Sequence, residues 1–142
     1  DATPGPAEDP RSLSGTFRKS GVRGMAVSGR CVYVSMPWLD RIDVFEVTEK
    51  VEKERTKYQL EPRPDASIPL RRPRGLAFTP TGELLAVSGQ QVFAVDRTKK
   101  VCTPLVRDGL VAPFAIAVDP QGTILVSDLG ASQQIKAFTS AG

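Results

Sequence analysis

Two residue types that carry much of protein chemistry near neutral pH are missing from this chain. It contains no histidine and, counted along the sequence, no asparagine. Without histidine there is no neutral imidazole to ligate a metal or serve as general base. Without asparagine there is no asparagine carbonyl for calcium, no bidentate asparagine reader of adenine and no N-glycosylation acceptor. What remains is thin. Glu83, Asp96, Asp119 and Asp128 could contribute to a calcium site, but Glu83 and Asp119 fall in or beside turn sequences, where solvated charge is the default. Ser88 and Ser127 have no base next to them. Cys31 and Cys102 lie far apart in separate apolar stretches, too few for a disulfide framework and lacking the other ligands zinc needs. They read as small buried hydrophobes, with a bridge between them as the alternative. We assign no catalytic residue, no metal ligand and no cofactor.

The residues suited to binding are more distinctive. Arg71, Arg72 and Arg74 cluster before one apolar stretch, and Arg18, Lys19 and Arg23 cluster before another. Guanidinium groups converging on one rim could contact phosphates or stack on bases. Yet the net charge is only +3, aromatics are 6% of the chain, and Phe45, Phe78, Phe93 and Phe138 occupy apolar positions. That is a weak nucleic-acid footprint. The other conspicuous segment is Met36-Pro37-Trp38-Leu39-Asp40, which holds the only tryptophan. Trp, Met and Arg are favoured at protein interfaces. Met36, Trp38, Leu39, Arg71, Arg72 and Arg74 are therefore the expected partner-contact residues.

The elements that must position them repeat. Val22-Arg23-Gly24-Met25-Ala26-Val27, Pro73-Arg74-Gly75-Leu76-Ala77-Phe78 and Pro113-Phe114-Ala115-Ile116-Ala117-Val118 are three copies of one phrase. Each is followed by a second apolar strand at Val32–Ser35, Leu84–Val87 and Ile124–Ser127, and by a third at Arg41–Phe45, Gln91–Val95 and Gln134–Phe138. Strand-rich self-similarity at roughly 40–50 residues is the pattern of propeller blades. Thr79-Pro80-Thr81-Gly82 and Asp119-Pro120-Gln121-Gly122 read as hairpin turns, with Pro setting φ early and Gly supplying the late position.

Lys99–Val106 supplies a fourth, outer strand to the second blade. The charged run Thr48–Gln59 has the look of an exposed helix. Repeat logic instead makes it the outer strand of the first blade, with Val51, Tyr58 and Leu60 partly inward. Pro62, Pro64, Pro69 and Pro73 punctuate a long connection to the second blade. Residues 1–12, rich in Pro and acid, read as a flexible tail or linker, and residues 13–142 as blades at about 13–60, 61–106 and 107–142.

These residues resemble NHL repeats, the six-bladed β-propeller class, which is also similar to lactonase-like and strictosidine-synthase-like propellers. Ala117–Asp128 follows the middle of such a repeat, and Asp40-Arg41-Ile42-Asp43-Val44-Phe45 its end. The resemblance covers about residues 14–142 and implies an all-β fold of about three four-stranded blades, half of a six-bladed ring. In such repeats an Asp after the second strand pairs with an Arg opening the third. Here Gln134 faces Asp128, while Ser35 and Met36 stand where Arg41 would need an Asp, so that ion pair is not expected. Enzymatic relatives hold zinc through histidines, or calcium through Glu with Asn or Asp, in the channel. This chain lacks the histidine and asparagine for either.

An open arc of blades would leave large apolar faces in water. The expected solutions are another chain or segment completing the ring, or two copies exchanging outer strands, with Ser14–Gly21 as a candidate outer strand for the third blade. The function implied is a non-catalytic protein–protein interaction or assembly scaffold. The alternatives are a piece of a lactonase- or lyase-type propeller enzyme with its catalytic residues elsewhere, and single-stranded RNA binding by a basic rim. No apolar run reaches the ~18–20 residues of a membrane span. A start without Met fits an exported, processed chain or a piece of a longer one, and the compartment stays open with a lean to export.

Overall fold

Residues 22–131 and 133–142 are described in a computed structural model. The expected tail at residues 1–12 and outer strand at Ser14–Gly21 lie outside them. The alternating apolar stretches form three antiparallel sheets. The first holds β1 (Met25–Ser28), β2 (Cys31–Met36), β3 (Arg41–Glu52) and β4 (Arg55–Pro62) in that order, and β5 (Ile68–Pro69) also pairs with β3. The second holds β6 (Leu76–Phe78), β7 (Leu84–Ser88), β8 (Gln91–Asp96) and β9 (Val101–Val106). The third holds β10 (Pro113–Val118), β11 (Ile124–Asp128) and β12 (Gln134–Phe138), with no fourth strand among the described residues. The two Pro-Gly hairpins close as their sequences dictate. Gly82 N–H donates to Thr79 and Gly122 N–H to Asp119, each at 2.9 Å, and both glycines have φ of +87°.

The sheets stack as consecutive blades, and the core is the pair of seams between them. Tyr33, Ile42, Val44 and Ile68 meet Leu76, Leu84, Ala86 and Val95 at the first seam. Leu85, Val87, Val92 and Val106 meet Leu110, Ile124 and Val126 at the second. At one edge of the first seam the Tyr33 and Phe78 rings cross edge-on at 5.4 Å, with the Arg97 guanidinium 5.5 Å and 5.2 Å from their centres. The inner strands β1, β6 and β10 run side by side, near enough that glycine is required. A Cβ on Gly75 would lie 2.6 Å from the Phe114 carbonyl oxygen and 2.9 Å from the Ile116 nitrogen.

Three expectations need correction. The charged run is a strand, but it does not tuck Val51, Tyr58 and Leu60 inward: they are 71%, 69% and 41% exposed. The reason is that β3 runs twelve residues and carries its hairpin with β4 beyond the blade, where neither face meets a neighbour among the described residues. The proline-rich connection contributes its own pairing to the first sheet, because Ile42 pairs with the fully buried Ile68 and Arg41 with Pro69. This places Ile68 and Pro69 in the first sheet, although they were expected to open the second blade.

The intra-blade ion pair also exists, moved along the strand. Asp128 bonds Lys136 Nζ at 2.8 Å, two residues beyond the Gln134 that faces it. Arg41 Nε donates to Asp43 at 2.7 Å within its own strand, since alternate residues share a face. Cys31 and Cys102 are both free and half-buried against the first seam, with no bridge between them.

Candidate interaction site at the loop end of the first two blades

Met36, the last residue of β2, points into the blade and is fully buried with Val34 and Phe45. Pro37 then starts a single 3-10 turn, Pro37–Leu39, and Asp40 ends it with φ of +50° and its N–H on the Pro37 carbonyl at 3.3 Å. With Met36 and Leu39 both turned to the apolar cluster, Trp38 between them is left facing solvent, 68% exposed. Asp40 then stitches this turn to the segment entering the second blade. Its carbonyl accepts the Leu70 N–H at 3.1 Å, and its carboxylate accepts the Arg72 N–H at 2.9 Å.

A buried serine sets the remaining spacing. Ser35 is fully buried, its carbonyl accepts the Arg23 N–H at 3.4 Å, and its hydroxyl donates to the Arg74 carbonyl. One residue of β2 thus ties together the lead-ins of β1, through its backbone, and β6, through its side chain. The result is a cleft of about 180 Å³ lined by Arg23, Pro37, Trp38, Arg72 and Arg74. Arg74 donates to the Gly89 carbonyl, and its Nε has no hydrogen-bond partner. Burial pulls its guanidinium below the ordinary arginine value, though it stays charged at neutral pH. Among the described residues, no carboxylate pairs with Arg23, Arg72 or Arg74, whereas Arg30, Arg41 and Arg63 each have one.

Of the expected contact residues, the structure brings Trp38, Arg72 and Arg74 into one cleft and adds Arg23. Met36 and Leu39 lie beneath it as support. Arg71 is exposed but is not among the described lining residues; its carbonyl accepts the Ser88 hydroxyl. Ser35 was not singled out from sequence, since one serine in an apolar strand carries no signal until its partners are known.

Three of the carboxylates considered for chemistry, Asp96, Asp119 and Asp128, hold nearby backbone N–H groups. Asp96 accepts the Thr98 and Lys99 N–H groups, and Asp119 those of Gln121 and Thr123. Asp119 is held below the usual carboxylate range chiefly by the Thr123 N–H. Asp128, 2% exposed, takes the Val111 N–H at 3.0 Å and the Ala112 N–H at 2.7 Å besides Lys136. These bonds, the one from Lys136 first, hold its carboxyl far below the ordinary range. Burial pushes the Cys102 thiol up, away from a reactive thiolate. Among the described residues no group of three or more Asp, Glu, Cys or His could hold a metal ion, and no helix is long and apolar enough to cross a membrane.

No family model and no curated protein matches this chain. Its fold is similar to that of a β-propeller chain in the crystal structure of a nidogen/laminin complex, with a TM-score of 0.61 at 17% identity. The similarity covers 87% of this chain and 46% of that one, so the chain spans less than half of the propeller it matches. At that identity the likeness is one of fold: an all-β, propeller-like arrangement of three sheets.

Proposed function

We propose that this chain is part of a non-catalytic propeller of NHL type that serves protein–protein contact, its ring completed by blades from another chain or segment. One observation carries the reading: the outer face of the third blade is an apolar sheet face without a neighbour among the described residues. Ala115, Ala117 and Leu125 line it with Ile135, which is 76% exposed. The corresponding faces at the two seams are buried against the next blade. A propeller fold drawn from a protein–protein complex is in keeping with an interaction role.

The inner strands favour completion by something other than a second copy. Gly24 and Gly75 permit close approach of the following inner strand at the two seams, but the third repeat has Ala115 in that place. A second copy docking its β1 in the same geometry would press backbone onto the Ala115 Cβ. The test is light scattering coupled to sizing on the 142-residue chain, repeated with Ile135→Lys. The expected result is a chain that binds an apolar dye through this face, whether or not it self-associates, with binding reduced by Ile135→Lys. A cooperatively folding monomer that binds no dye would overturn the completion reading.

A further inference from the structure

Resting on the interaction reading above, we infer that the cleft between Trp38 and Arg23, Arg72 and Arg74 receives an acidic segment of a protein partner, with a carboxylate on the guanidinium groups and an apolar neighbour against the indole. Three guanidinium groups beside one another repel, and among the described residues no carboxylate offsets them. Asp40, in the turn that carries Trp38, lends its carboxylate to the Arg72 N–H rather than to a guanidinium. A bound carboxylate relieves that repulsion, and Arg with carboxylate makes paired, directional hydrogen bonds. Arg74 also keeps its Nε–H without a partner, a donor that an oxygen ligand can meet with a small shift.

The apolar half of the ligand follows from Trp38. Its ring is 68% exposed, yet its backbone is held in a turn stitched to the second blade through Asp40. An indole on a fixed backbone has only its two side-chain torsions left to order on contact, and Trp and Arg are enriched among the residues that dominate binding energy at interfaces. Size and shape argue for a peptide over a nucleic-acid strand. The cleft, about 180 Å³, has room for a side chain or two and presents one aromatic ring among its described residues. Single strands need a basic groove that tracks several phosphates and successive stacking platforms.

Trp38 is the only tryptophan in the chain, so its fluorescence reports on this cleft alone. The probe is a capped tetrapeptide alternating glutamate and leucine, titrated into the full chain. Its controls are the lysine–leucine counterpart, inorganic phosphate and an oligouridylate. We expect a saturable emission change with the glutamate peptide alone, weakened about fivefold or more by Arg23→Gln and by Arg72→Gln. Both side chains are exposed, and circular dichroism checks that the variants keep the fold. No emission change, an equal response to the lysine peptide, or an unchanged affinity in both variants would overturn the proposal. So would tighter binding of oligouridylate with a steep salt dependence, which would assign the cleft to nucleic acid. The light-scattering and dye result is independent: peptide binding by a well-folded monomer that takes up no apolar dye would retire the completion reading and keep this one.

Discussion

At the scale of single residues, the last position of the second strand performs one task with different chemistry in the second and third blades. Met36, Ser88 and Asp128 are each paired with the first residue of the third strand. Ser88 and Asp128 reach out to hold the backbone leading into their own blade's inner strand, at Arg71 and at Val111 and Ala112. Met36 has no polar group to offer, and in the first blade Ser35, one residue earlier, bonds the lead-in of the neighbouring blade instead. Ser35→Ala should therefore cost about 1–3 kcal/mol in urea unfolding, because the Arg74 carbonyl loses its partner. It should also loosen the cleft, seen as a shift in Trp38 emission. For Asp128 the sign follows from its lowered carboxyl: the stabilisation is full above the unfolded-state value, near pH 4, and fades as pH falls further. The stability difference between the wild type and Asp128→Asn should be constant from about pH 5 to 8 and shrink below about pH 4. A difference that grows on acidification would contradict the assignment.

Among elements, the seams between blades decide what can be changed. Gly75→Ala places a Cβ 2.6 Å from the Phe114 oxygen, a contact with backbone that no side-chain rotation relieves. The inner strands β6 and β10 must separate, at a cost of about 1–3 kcal/mol by analogy with overpacked cores. At the first seam, Arg97→Ala removes the cation over Tyr33 and Phe78 and a 3.0 Å bond to the Tyr33 hydroxyl. An exposed cation–π contact of this kind contributes about 0.5–1 kcal/mol, so the urea midpoint should move less than for Gly75→Ala. The strands themselves were legible in the sequence because alternation and Pro-Gly turns are local signals. The fate of Thr48–Gln59 was half legible. Its mixed charge suggested a helix and the repeat made it a strand, but only the length of β3 shows that the hairpin leaves the blade and carries Tyr58 into solvent.

For the whole molecule, two seams are closed and an apolar face of the third blade, which includes Ile135, is open among the described residues. Covering that face should raise stability, so the 142-residue chain with an added completing segment should unfold at higher urea than alone. Ala115→Gly should by itself lower stability, as glycine does in a strand. It should also favour self-association if a second copy docks as the internal blades do, which sedimentation of the variant against the wild type would reveal.

The sequence by itself determined the repeat, the strands and their hairpins, because β alternation and turn chemistry act between residues a few positions apart. It also determined which chemistries lack their residues, since a count needs no geometry. The tertiary structure alone decided that Trp38 faces out while Met36 beside it is buried, because that depends on which face the blade turns to its apolar cluster. It alone gathered Arg23, Trp38, Arg72 and Arg74 into one cleft. Those residues are separated by up to 51 positions along the chain. What joins them is Ser35 and Asp40 bonding backbone across a blade seam, and no local pattern in a sequence records a bond of that kind.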